Sequence, residues 1–241
     1  MRKSIWQKIR ILWVFSGIVF VIWISYSMQA KNVDPGLLTN NDKIAVADNS
    51  EYISFTPVQQ HKNIFIFLPG AMVDPIAYVP LCRKLAEAGI QTFIIRMPYR
   101  QARLGYKKLL KLNILNDKDK TYILAGHSQG AKMAAQFVQE NPGKINKLIL
   151  MGTTHPKDYK LESRGIHVLK IYGTSDGVAR EEDVLMNKSN LPAATKFVCI
   201  KGGNHSQFGY YGYQLGDHSA SVTREEQQKI ILESVLFFIN Y

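Results

Sequence analysis

From residue 44 onward, short apolar runs alternate with stretches in which apolar residues recur every three or four positions. The runs fall at 43–47, 52–56, 63–68, 92–97, 121–125, 147–151, 167–172 and 196–201, and most are rich in Ile, Val, Phe and Leu. Continuous apolar runs of this length suit strands buried on both faces. Helical periodicity falls at 76–88, 101–115, 129–140, 180–190 and 223–240, with stop signals at Gly89 and at Asn141-Pro142-Gly143. Between the first two runs, Ala47-Asp48-Asn49-Ser50 reads as a hairpin turn. Strands alternating with helices predict an α/β fold, with a mostly parallel sheet of about eight strands covered by helices on both faces. One domain over 44–241 accommodates all of it.

The chain before residue 44 follows another pattern. Residues 11–30 carry no charge, and the first part of that stretch is almost wholly apolar. As a helix, such a segment is about 30 Å long, the thickness of a bilayer's hydrocarbon core. Trp13, Trp23 and Tyr26 lie toward its ends, where aromatic rings settle at the membrane interface. The same features describe a signal peptide, but the apolar stretch is long for one and Met28-Gln29-Ala30 is a poor cleavage site. We therefore expect a transmembrane anchor over 11–30, with a secreted protein released by signal cleavage as the alternative. Arg2, Lys3, Lys8 and Arg10 place the basic segment 1–10 in the cytoplasm and the rest of the chain on the extracytoplasmic side. The polar stretch 31–43 reads as a tether.

Composition narrows the possibilities further. With 46% apolar and 20% charged residues the chain is a globular one. The net charge of +11 is uneven: it concentrates in the first ten residues and in 100–120, where Arg100, Arg103, Lys107, Lys108, Lys111, Lys118 and Lys120 face only Asp117 and Asp119. No zinc-finger spacing or aromatic-basic motif accompanies the charge, so nucleic acid is not an expected partner and an anionic membrane surface suits it better. In 101–115, Leu104, Leu109, Leu112 and Leu115 interleave with the basic residues, as in a helix with one apolar and one basic side. Cys82 and Cys199 both sit in apolar stretches and read as buried free thiols.

The candidate chemistry begins after the run 121–125. Gly126-His127-Ser128-Gln129-Gly130 matches G-x-S-x-G between a strand and a helix, a sharp turn that presents a serine hydroxyl above the sheet. A serine needs a base to take its proton, and the base needs an orienting acid. In the order Ser, Asp, His, the acid is Asp176 in Gly173-Thr174-Ser175-Asp176-Gly177, with Asp158 and Asp183 as competitors. The base is His205 in Gly202-Gly203-Asn204-His205, preferred over His218 in a polar loop, and His127 suits packing or substrate contact. Gln129 offers a backbone N–H at a helix start for an oxyanion, and Ala71 in Pro69-Gly70-Ala71-Met72 offers a second, with Met72 as the alternative.

With GHSQG, YGTSDG and GGNH in this order, residues 50 to 241 resemble the α/β-hydrolase superfamily. More narrowly, LPGAMVDPIAY and GGNHSQFGYYG look like a bacterial group of compact single-domain hydrolases. The resemblance implies the same three roles for Ser128, Asp176 and His205. It departs at Pro69-Gly70, where many relatives have His-Gly. The GGNH loop is similar to that of dienelactone-hydrolase-like enzymes, which use cysteine, whereas Ser128 points to ester-type chemistry. The stretch from Gly152 to Ile166 is only 15 residues long, too short for the multi-helix cap of many lipases. The site is thus expected to be open, or covered only by the loop 207–217 with Tyr210, Tyr211 and Tyr213. The expected function is a membrane-anchored serine hydrolase acting on a small-molecule acyl substrate, without cofactor or metal. A peptidase or acyltransferase using the same triad, or a non-catalytic scaffold of this fold, are the alternatives.

Overall fold

The computed structural model describes residues 4–59, 61–161 and 165–240, so Arg2 and Lys3 of the expected basic segment lie outside it. Eight strands form one sheet: β1 (Ile44–Asp48), β2 (Tyr52–Pro57), β3 (Asn63–Leu68), β4 (Gln91–Ile95), β5 (Thr121–His127), β6 (Lys147–Met151), β7 (His167–Gly173) and β8 (Lys196–Ile200). Their order is β1-β2-β4-β3-β5-β6-β7-β8, antiparallel at β1/β2 and β2/β4 and parallel elsewhere. The hairpin turn is closed by Asn49, whose Oδ1 accepts from the N–H groups of Glu51 and Tyr52.

Successive strand residues point to opposite faces, and both faces are apolar. Phe65, Phe67, Ile94, Ile123, Ile149 and Ile171 pack on one side, beneath α2 (Val79–Glu87) and α6 (Arg224–Asn240). Ile66, Leu68, Leu124, Leu148, Leu150 and Val168 pack on the other, beneath α4 (Gln129–Glu140) and the segment after β4. Burial on both faces explains why the strands read as continuous apolar runs.

Three expectations need correction. The stretch 101–115 is not one amphipathic helix: α3 (Ala102–Gly105) gives way to a 3-10 turn at Tyr106–Leu110. Gly105 lies where a Cβ would come 2.5 Å from the Pro98 ring, so packing against the chain's own turn sets the geometry. Leu109 is buried but Leu104 is exposed, and Lys107 and Lys108 pair with Glu140 and Glu51, so no continuous basic face forms. Cys199 is exposed, because β8 is the edge strand, whereas Cys82 is buried as expected.

The third concerns the N-terminus. Helix α1 (Ile5–Ser27) is apolar and exposed along its length from Ile5 to Trp23. Residues 31–43, read as a tether, are instead held on the domain: a 3-10 turn at Pro35–Leu38 is fixed by Arg83, whose Nη1 donates to the carbonyls of Leu37 and Thr39. The docking was hidden because its donors are main-chain groups and an arginine remote in sequence.

On β7, Lys170 is wholly buried and donates to the His155 carbonyl at 2.7 Å; burial pulls its pKa down to about 7. Between that value and its unfolded pKa the unfolded chain holds more protons, so this group makes stability rise with pH through that window. Relative to Lys170→Met, the parent should therefore gain thermal stability from about pH 6 to about pH 10, by a few kcal/mol at most. Parallel melts at all pH values would mean that Lys170 is not buried as a neutral amine.

Candidate active site

The elbow is built from close approaches. Ser128, between β5 and α4, adopts φ 54° and ψ −118°, a left-handed backbone unusual for a side chain other than glycine. Its N–H donates to the Met151 carbonyl at the end of β6, which holds the turn. A Cβ on Gly130 would sit 1.9 Å from the Leu68 carbonyl oxygen, and one on Gly126 would sit 2.5 Å from the Gly130 carbonyl carbon. Only glycine lets the start of α4 press against the ends of β3 and β5.

Asp176 follows β7 and is buried. Its Oδ1 accepts from the N–H groups of Val178 (2.9 Å) and Ala179 (2.6 Å), and its Oδ2 bonds His205 Nδ1 at 2.8 Å. His205 follows β8 and is fully buried, with no hydrogen-bond partner on Nε2 among the described residues. Its ring lies 4.5 Å, centroid to centroid, from that of His127, which carries the base loop to the elbow. The competitors are elsewhere: Asp158 and His218 are exposed, and Asp183 pairs with Arg180 at 3.0 Å.

In the loop after β3, the Gly70 N–H donates to Tyr78 Oη (3.1 Å) and the Met72 N–H to the Arg100 carbonyl (2.8 Å). The Ala71 N–H has no acceptor among the described residues. Gln129 begins α4, so its N–H lacks a partner within the helix. Tyr78 Oη also bonds His127 Nδ1 at 2.9 Å. Burial, and then the neighbouring His205, push the His127 pKa well below its ordinary value, so this imidazole is neutral. Having accepted from Gly70, the Tyr78 hydroxyl has its own proton to give to His127 Nδ1. One phenol thereby links the loop after β3 to the elbow.

In the sequence, Tyr78 has only the pattern of an apolar helix position, and nothing local marks its phenol. Nor does any local pattern mark Asp217, a buried carboxylate in the loop 207–217. Asp217 Oδ1 accepts from the N–H groups of His205 (3.1 Å), Gly177 (3.3 Å) and His218 (2.9 Å). Its Oδ2 accepts from Ser206 N–H (2.8 Å) and Ser206 Oγ (2.7 Å). It thus ties the acid loop to the base loop. From α6, buried Gln227 exchanges two bonds with the main chain of Asn204. Of the loop tyrosines, Tyr211 is buried with its hydroxyl on the His205 carbonyl and Gln214, while Tyr213 is exposed.

Residues 64–229 match the family model of the alpha/beta hydrolase family, and the chain belongs to that family. Est1E from Butyrivibrio proteoclasticus shares the fold, with a TM-score of 0.60 at 15% identity over 83% of this chain and 100% of that one. A predicted CIB-like hydrolase from Thermoplasma acidophilum aligns with a TM-score of 0.61 at 12% identity, over 80% of this chain and 98% of its own. Carboxylesterase CesB from Bacillus subtilis gives 0.53 at 12% identity, over 85% and 93%. No curated protein sequence matches the chain.

Because Asp217 accepts from five donors, Asp217→Asn would turn an NH2 group toward at least one of them at unchanged volume. Loss of stability of about 2–3 kcal/mol is expected, together with a lowered turnover as His205 loosens. An unchanged melting temperature would show that the two loops hold each other without this carboxylate.

Proposed function

We propose that this hydrolase cleaves an ester or related acyl bond through an acyl-enzyme at Ser128. The observation that carries the reading is His205: one ring nitrogen is bound to a buried carboxylate, the other has no partner among the described residues, and the ring lies 4.5 Å from that of His127, which directly precedes Ser128 in its strained turn. An imidazole so placed takes the Ser128 proton on Nε2 while the serine Oγ attacks the carbonyl carbon. Asp176 stabilises the resulting imidazolium and fixes its orientation. The N–H groups of Gln129 and Ala71 receive the charge that develops on the carbonyl oxygen. His205 then returns the proton to the leaving group, the acyl-enzyme forms, and water attacks it by the same steps in reverse.

The reading includes α1 as a retained transmembrane anchor, with the catalytic domain on the extracytoplasmic side. Supporting retention, Ser27 and Met28 are buried in the fold, and the Met28 carbonyl accepts from Asp74 N–H beside the candidate oxyanion loop. Cleavage near Ala30 would strip these contacts from the site.

A fluorophosphonate probe should label the parent protein and leave Ser128→Ala unlabelled. On an ester that the parent turns over, Ser128→Ala and His205→Ala should each lose a factor on the order of 10⁴ or more, because the members act as a unit. Full turnover by Ser128→Ala would refute the mechanism.

A further inference from the structure

The end of α1 is joined to the rim of the candidate active site. Gly212 N–H donates to the Ser27 carbonyl, Asp74 N–H to the Met28 carbonyl, and Lys31 N–H to the Tyr210 carbonyl, at 2.7, 2.9 and 2.7 Å. Ser27 Oγ donates to the Tyr213 carbonyl, and Ala30 forms a bridge with Tyr211. Arg100 Nη2 bonds both Gln29 Oε1 (3.2 Å) and Asp74 Oδ2 (3.0 Å). The loops that leave the carboxyl ends of β3, β4 and β8 all bond the end of α1 or the residues just after it, Ser27 to Lys31. Those are the loops around Ser128 and His205.

The same face exposes large apolar side chains. Met72, Tyr99, Val178, Tyr213 and Leu215 are exposed, and all lie in loops following β3, β4, β7 and β8. Tyr99 is the most exposed, at 88%, and is placed there at a cost: it and Arg100 adopt consecutive left-handed conformations, φ 50° and 53°. The bonds made by the Arg100 side chain and carbonyl hold this unfavourable backbone in place. The exposed Tyr213 ring is 6.4 Å from Trp23 in the last turns of α1, and Lys31 Nζ lies 3.2 Å over the Tyr26 ring. A Trp, two Tyr and a Lys at one level are the composition of a membrane interface.

We infer that the candidate active site opens onto the outer surface of the bilayer, and that its substrate is an amphiphile resident there, an acyl ester whose chain reaches the site from the lipid. The inference rests on the Ser128 mechanism and on α1 as a retained anchor. The helix and the loops share main-chain hydrogen bonds, so the depth of one sets the depth of the other. The apolar rim meets lipid headgroups and upper acyl chains, and an ester held in the bilayer is concentrated beside Ser128. A soluble ester has no such advantage. The site is open with respect to a cap, yet faces lipid in place of bulk water.

The test uses the full-length protein in vesicles of phosphatidylcholine and phosphatidylglycerol, with exposed Cys199 replaced by Ser. Nitroxide labels on Tyr99→Cys and Leu215→Cys should show collision with oxygen enriched over a water-soluble nickel chelate. A label on Lys144→Cys, exposed at the opposite end of the sheet, should show the reverse. In the same vesicles, kcat/KM for a long-chain fluorogenic ester should exceed that for the acetyl ester of the same alcohol by about ten-fold or more. Labels at 99 and 215 as aqueous as at 144 would overturn the orientation. Deep labels with equal or better turnover of the acetyl ester would overturn the substrate class. Absence of fluorophosphonate labelling would sink the Ser128 mechanism alone, because label depth does not depend on catalysis.

Discussion

The start of α4 meets the end of β3 at a distance that no side chain tolerates: a Cβ on Gly130 would sit 1.9 Å from the Leu68 carbonyl oxygen. Much of the site geometry follows from that approach. It sets the N-terminus of α4, with the Gln129 amide, beside the loop that carries Ala71. It requires the chain to reverse within one residue at the end of β5, which forces Ser128 into its left-handed turn. Small residues Ala131, Ala134 and Ala135 keep the rest of the helix equally close to the sheet. The strain at Ser128 is thus held by packing along a whole helix, and by the bond from its N–H to Met151.

Two buried carboxylates divide the work on the other side of the elbow. Asp176 uses one oxygen for its own loop and the other for the imidazole, so the ring is oriented by a group that is itself immobile. Asp217 touches no ring and instead collects main-chain donors from the acid and base loops. An unsatisfied carboxylate in this position would be costly, and the donors that satisfy it are the amides that must be fixed for His205 to stay in place. The neutral His127 fills the space between elbow and base loop, stacked on Phe208 at 5.3 Å. Charge in this region is therefore confined to groups with defined partners.

The apolar helix α1 is continuous with the domain rather than appended to it. Its last residue Ser27 supplies a carbonyl to Gly212, Met28 just after it supplies one to Asp74, and Gln29 supplies an acceptor to Arg100. Arg100 in turn holds Met72 through its carbonyl, while the neighbouring Ala71 amide has no acceptor among the described residues. A hydrogen-bonded path thus runs from the end of the helix to the proposed oxyanion donor. Rigid coupling of this kind makes the orientation of the helix and that of the candidate active site a single property of the molecule.

By itself, the sequence determined what local pattern can encode. Eight apolar runs specify eight strands, because burial on both faces demands continuous apolar residues, and G-x-S-x-G after such a run specifies the turn at Ser128. Chain order then picked out Asp176 and His205, and the structure joins them at 2.8 Å. What remained hidden depends on contacts between distant segments. Tyr78 reads as an apolar helix residue until its hydroxyl meets Gly70 and His127, and Asp217 reads as a loop acid until five donors converge on it. Residues 31–43 lack periodicity, so nothing in them announces that Arg83 and Tyr210 will dock them. The stretch 101–115 has the periodicity of one helix, but Gly105 packs against Pro98 and the helix ends there. In each case the deciding term is the satisfaction of buried polar groups or a steric approach across the fold, and neither exists until the sheet brings the segments together.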